Sequence, residues 1–135
     1  MSDPIDLRRF PIHLGLGATA LPEPEFSGME WYEAYLQRHA DDGADARIVS
    51  IYEFSEDWDT WEMHPEGEEV VLCIAGNMTI YQEHADNSTD LVAIGPGEYV
   101  INPRGTWHTA DVPDKATALF ITAGRGTRHR QRDDL

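Results

Sequence analysis

Trp61-Glu62-Met63-His64-Pro65-Glu66-Gly67-Glu68-Glu69, running on through the apolar segment 70–75 to Gly76, decides how this chain is read. A second stretch has the same design: Gly97-Glu98-Tyr99-Val100-Ile101-Asn102-Pro103-Arg104-Gly105-Thr106-Trp107-His108. In each, a strand-like run meets a Gly/Pro turn that sets a histidine beside it. Glu69 has the parity of Val71 and Cys73, so it faces inward on a strand, where a buried carboxylate needs a partner. Two neutral imidazoles and one carboxylate suit a divalent Zn, Fe, Ni, Mn or Co ion, with positions left for water or substrate. The residues predict one metal site inside a small β-barrel. The plainer alternative is a pair of core histidines held by hydrogen bonds.

Working outward, the chain from Arg47 on reads as short strands. They are predicted at Arg47–Phe54, Trp58–Met63, Glu69–Ile74, Met78–Glu83, Asp90–Ile94, Tyr99–Ile101, Thr106–Ala110 and Ala116–Thr122. Turn residues punctuate them about every ten positions, the pattern of an antiparallel barrel or jelly roll over 47–122. One helix is predicted over about 28–40, capped by Ser27 with Glu30 as its box partner, and burying Met29, Tyr32, Tyr35 and Leu36. Residues 1–25 are rich in Pro and Gly and read as an extended N-terminal arm. Residues 26–124 form a single domain, and 125–135 a polar, flexible tail.

The length of 135 residues fits one domain. Net charge is −15, and the tail from Arg125 holds four Arg against two Asp, so the rest is more acidic still. Such a surface repels phosphate backbones and anionic lipid, which argues against nucleic-acid and membrane partners. No apolar run approaches the ~20 residues of a membrane span. The first residues lack the basic and apolar regions of a signal peptide, and the single cysteine, Cys73, forbids an internal disulfide. Both features point to a cytoplasmic protein. The expected edge strands of the barrel and the unsupported arm predict a homodimer.

The two motifs together resemble the cupin family, whose motifs are written G(X)5HXH(X)3-4E(X)6G and G(X)5PXG(X)2H(X)3N. His64, Glu69 and Gly76 match the end of the first; Gly97, Pro103, Gly105 and His108 match the second. The chain departs from the pattern at Glu56, which replaces the opening glycine, at Val112, which replaces the closing asparagine, and at Glu62, which replaces the first histidine of HXH. The resemblance implies the ligand set Glu62, His64, Glu69 and His108. Glu62 and His64 lie two apart on a strand and point to one face, and Glu69 and His108 are expected from neighbouring strands. Two carboxylates favour harder ions such as Mn²⁺ or Fe²⁺. Glu is longer than His, however, and Glu62 can equally swing away.

A cupin fold does not fix a reaction. Three readings stand: a metal-dependent enzyme, oxygenase or lyase in type, acting on a small polar, oxygen-rich substrate; a non-catalytic cupin that binds a metabolite or metal; and a degenerate barrel without metal. Arg104 is the only Lys or Arg between Arg47 and Lys115 and precedes the strand of His108. It is the natural anchor for a substrate carboxylate, or simply a turn-exposed arginine.

Overall fold

β-branched and aromatic residues gather in short runs from Arg47 on, and the backbone follows those runs. The computed structural model describes residues 2–133. Its strands are β1 (Ile12–Gly15), β2 (Thr19–Pro22), β3 (Arg47–Phe54), β4 (Thr60–Met63), β5 (Glu69–Gly76) and β6 (Met78–Glu83). They continue as β7 (Thr89–Ile94), β8 (Tyr99–Asn102), β9 (His108–Asp111), β10 (Ala116–Thr122) and β11 (Arg128–Gln131), with one α-helix, α1 (Met29–Arg38). The strands form two antiparallel sheets, β2-β1-β3-β10-β5-β8 and β11-β4-β9-β6-β7. The arrangement is that of a jelly roll rather than one continuous closed barrel.

The core lies between the sheets. Val71, Cys73, Val100, Ala118 and Phe120 from the six-stranded sheet meet Met78, Ile80, Ile94 and Ala110 from the other. Strand parity sets which side chains enter it. On β10, Ala116, Ala118, Phe120 and Thr122 point inward; on β5, Glu69, Val71 and Cys73 do. Gly76 ends β5 at φ +76, and a Cβ there would stand 1.9 Å from the Lys115 carbonyl oxygen, so only glycine closes this turn.

Three expectations are corrected. Residues 12–22 are not an extended arm. β1 and β2 form a hairpin, and β1 pairs with β3 through Ile12↔Val49. The prolines are compatible with this because Pro22 and Pro24 lie on or just beyond the edge strand β2, where no ladder donor is needed. The tail is not free either. β11 pairs with β4, and Arg130 stacks over Trp61 and Trp107 at 5.0 and 4.7 Å. Positions 134 and 135 of the expected tail, and position 1 of the arm, lie outside the described residues.

The helix is shorter than expected and turned about its axis. Its cap is Gly28, without a side-chain hydrogen bond, so Ser27 does not cap it. Met29 is 75% exposed and Leu36 37%, whereas Trp31 and Tyr35 are buried against Ile48. The larger apolar area of the Trp31–Tyr35 stack decides the face, and the Trp31 indole N–H donates to the Pro24 carbonyl at 2.9 Å.

Candidate metal centre

Both sheets contribute to one polar cluster in this core. Glu69 opens β5, His108 opens β9, and His64 follows β4 directly. Glu69 and His108 therefore face each other across the sandwich, not from neighbouring strands of one sheet as expected. All three are nearly removed from solvent, at 2%, 1% and 5% exposure for Glu69, His108 and His64.

Hydrogen bonds fix the tautomer of each imidazole. The Thr127 hydroxyl donates to the Gly124 carbonyl at 2.8 Å, so at 2.8 Å from His64 Nδ1 it accepts that ring's N–H. His108 Nδ1 donates to the Thr106 carbonyl at 3.2 Å. Both Nε2 atoms are left as lone pairs, buried and without a hydrogen-bond partner. Each lies 3.1 Å from a Glu69 oxygen, His64 by Oε2 and His108 by Oε1. Glu69 is itself held from behind: Asn102 Nδ2 donates to Oε1 at 3.1 Å and Thr122 Oγ1 to Oε2 at 2.7 Å.

Lone pairs aimed at carboxylate oxygens repel unless a cation lies among them. Ligands ~2.1 Å from one ion at a right angle stand roughly 3 Å apart, so the observed spacing fits a metal. Protons are the alternative cation. Burial alone raises the Glu69 carboxyl, but its contacts with His108 and His64 outweigh that and hold it well below the usual carboxylate range. Burial lowers the His108 imidazolium, and Glu69 more than reverses it, so the net direction is upward.

Glu62 completes the cluster loosely. It pairs directly with His108 in the β4–β9 ladder, and Oε2 lies 3.9 Å from both Nε2 atoms. One atom each of Glu62, His64 and His108 falls within a 4.8 Å group. Its other oxygen is 3.4 Å from His129 Nε2, opposite it on β11. Arg104 is exposed in the turn whose Gly105 N–H donates to the His64 carbonyl at 3.0 Å. It makes no ion pair among the described residues. The structure thus brings His64, Glu69, His108 and Glu62 together, and leaves the Arg104 side chain exposed at the surface.

Sequence reasoning missed Asn102, Thr122, Thr127 and His129. Asn102 carried a signal, since it precedes Pro103 in the second motif and pairs with Glu69 in register. Also missed was the pairing of Tyr32 with Tyr52, whose hydroxyls hydrogen-bond each other. Burial, then Tyr52, then the charges of Glu62 and Glu69 push the Tyr32 phenol well above its usual range. Cys73 is buried, which pushes its thiol up, as expected of a core residue.

No protein-family model matches the sequence, and no curated protein matches it. Among solved structures, Peruvianin-I, a cysteine peptidase from Thevetia peruviana latex, is similar with TM-score 0.55 and 17% identity over 64% of this chain and 57% of that one. Oxalate oxidase in complex with the substrate analogue glycolate is similar with TM-score 0.53 and 16% identity, over 61% of this chain and 45% of that one. A cupin-2 domain protein from Shewanella frigidimarina gives TM-score 0.49 at 16% identity, over 56% of this chain and 69% of that one. The match thus spans about half the length of the first two chains. At these identities the likeness is one of fold, and the fold is that of the cupins.

Proposed function

We propose that this cupin-fold chain binds one divalent transition ion through His64, Glu69 and His108, with Glu62 as fourth ligand. We further propose that it is a metal-dependent enzyme, oxygenase or lyase in type, acting on a small polar, oxygen-rich substrate. The observation that carries the reading is the pair of buried, unpartnered Nε2 lone pairs converging on Glu69. A bound ion would supply Lewis-acid polarisation of oxygen groups at its remaining positions.

The residues supply the rest. Thr127 and the Thr106 carbonyl lock the imidazoles in the ligating tautomer, and Asn102 and Thr122 aim the Glu69 oxygens. Glu62 is 29% exposed and contacts His129, so it is the ligand able to swing aside and hold a proton near an incoming group. The Trp58 indole N–H is buried without an acceptor, its ring 6.3 Å from that of His108, and would donate to a substrate oxygen. Arg104 would pair with a carboxylate at the mouth. Glycolate, the analogue bound in the oxalate oxidase with this fold, belongs to the ligand class proposed.

Metal analysis and calorimetry test the reading together. The purified chain should carry one equivalent at this centre, and small hydroxy or dicarboxylic acids should bind the loaded form and not the metal-free form. A non-catalytic binder would bind without turnover; a chain that holds no ion at His64 and His108 removes the proposal.

A homodimer is proposed on separate grounds. Tyr99 and Ile101 on β8 and Ile74 on β5 are 61%, 47% and 41% exposed at one edge of the six-stranded sheet. Such an apolar edge is commonly covered by a partner. Light scattering should give twice 15.2 kDa, and Tyr99→Lys should return the monomer.

A further inference from the structure

Histidine also gathers at the seam where the β1–β2 hairpin meets α1. There the His13 and His39 rings stack at 3.5 Å between centroids and 14° between planes, and His13 contacts the Tyr35 hydroxyl through one nitrogen and Asp42 through the other. Stacked rings aim their in-plane nitrogens along parallel planes, so this seam is a structural joint. His129 on β11 is placed differently. In the ladders, His108 on β9 stands opposite Glu62 on β4, and Glu62 stands opposite His129. Opposite residues share a face of a sheet, so the three form one row across the inner face.

Glu62 lies between the two histidines and turns one oxygen to each side. Its Oε2 is 3.9 Å from Nε2 of His64 and of His108, and its Oε1 is 3.4 Å from His129 Nε2. A carboxylate oxygen opposite Nε2 selects a ring form with hydrogen on that nitrogen, whether neutral or cationic. Both gaps are a few tenths of an ångström wider than the bonds they would become. The two side chains are 29% and 47% exposed, so a small turn of each closes them. Glu69 shows the finished version of this design, with Asn102 behind Oε1 and Thr122 behind Oε2. A ligating carboxylate is ordinarily held by such a partner.

A four-residue edge strand frays unless it is pinned, and β11 is pinned from its outer face. Arg130 stacks over Trp61 and Trp107, the residues that precede Glu62 and His108, and donates to both Glu83 oxygens at 3.2 and 2.9 Å. Arg132 donates to the Trp58 and Ala110 carbonyls, each at 3.1 Å, and pairs with Asp111. These contacts fix the register of β11 on β4. With it they fix Thr127 beside His64 and His129 beside Glu62.

We propose that His129 is a positioning residue of the core centre: it holds Glu62 by Oε1 and so presents Oε2 to the ion as the fourth ligand. The inference rests on the metal reading of His64, Glu69 and His108 and goes beyond it, since it gives the Glu62 carboxylate a fixed direction and β11 a part in the site. His129 itself stays off the ion.

Zn²⁺ affinity tests this, measured on the full chain by competition with a chelator of known affinity. His129→Phe keeps a flat ring and loses the donor, and should weaken binding about tenfold. His129→Gln returns an N–H and should restore the wild-type constant. In a Glu62→Ala background, His129→Phe should change nothing further, because its effect runs through the carboxylate. A wild-type chain that binds no Zn²⁺ overturns the core reading and this inference with it. A wild type that binds, with His129→Phe equal to it, overturns this inference alone. So does a loss of the same size with and without the Glu62 carboxylate, which would mean that His129 only holds the strand. Where His129→Phe fails to fold, long-range ¹⁵N imidazole spectra of the Zn²⁺-loaded wild type decide. Hydrogen on His129 Nε2 supports the role, and a metal-bound or bare Nε2 overturns it.

Discussion

The two histidine clusters differ in what their nitrogens lack. In the core, Nδ1 of His64 and of His108 is satisfied and both Nε2 atoms are bare lone pairs facing Glu69. At the hairpin–helix seam, His13 has a partner on each nitrogen, and a proton already bridges it to Asp42. The first cluster leaves two buried lone pairs unsatisfied, while the second holds together as a hydrogen-bonded joint. A cluster of histidines and carboxylates is therefore informative less by its composition than by which atoms its surroundings leave unsatisfied. The core centre should bind an ion, and the seam, whose stacked rings are already joined by hydrogen bonds, should not.

The sharpest way to break this comparison is to remove the bare nitrogens. His64→Ala/His108→Ala should take the core centre from full to undetectable occupancy at micromolar free metal, since water does not replace two imidazoles. Metal analysis on the folded variant checks it. Core occupancy persisting in that variant would mean that the orphaned atoms are not ligands.

The next effect is smaller and tests the supports. Thr127→Val removes the acceptor that fixes His64 in its ligating tautomer and leaves the ligand in place. Affinity at the core centre should fall about 10- to 100-fold, the usual cost of losing such a partner. Competition against a chelator of known affinity measures it. An unchanged constant would show that His64 is oriented by packing alone.

Acidity distinguishes the metal-free core from the loaded one. The Glu69 carboxyl is depressed, so its share of stability is present above the unfolded value near pH 4.3 and is lost as pH falls below it. The His108 imidazolium is raised, so its share is present below about pH 6.5 and is lost as pH rises through the folded value. The metal-free chain should therefore be most stable between these limits and weaken on either side, by on the order of 3 °C in Tm for each kcal/mol. Loaded chain should keep its stability toward neutral pH, where the imidazoles are neutral ligands. Melting curves across pH, with Glu69→Gln as the flattened reference, check both limbs.

What the sequence displayed and what it concealed follow from the range of the interactions. The predicted strands over 47–122 correspond to β3–β10 because turn glycines such as Gly76 and inward parities such as Glu69–Val71–Cys73 are local properties. The meeting of Glu62, His64, Glu69 and His108 was legible because both motifs carry it in fixed spacing. Thr122 and Thr127 were not, since they reach the site from 53 and 63 residues away through sheet register. The hairpin was obscured by its own prolines and glycines, which read as an arm until β3 supplies a neighbour. The tail misled in the same way: its charge pattern suggests solvent, whereas Trp61, Trp107 and Glu83 make a place for Arg130. The helix face failed for another reason. Spacing alone chose Met29 and Leu36 and passed over Trp31, and area decided otherwise.

The smallest expected effect concerns Arg104, which touches neither cluster. It is exposed on the turn joined to the His64 carbonyl by the Gly105 N–H, where the surrounding chain is acidic. A ligand chelated at the core centre by one oxygen group would extend a carboxylate toward that turn. A charge-assisted pair there contributes roughly 1.5–3 kcal/mol, so Arg104→Ala should weaken small-acid binding by about tenfold or more. It should leave the metal content of the core centre as it was, because Arg104 donates to none of its proposed ligands. Calorimetry of a dicarboxylic acid against the metal-loaded chain measures this. Equal constants for the wild type and Arg104→Ala would place the acid wholly within the core, between the metal and the Trp58 indole N–H, and would make Trp58→Phe the variant that weakens it.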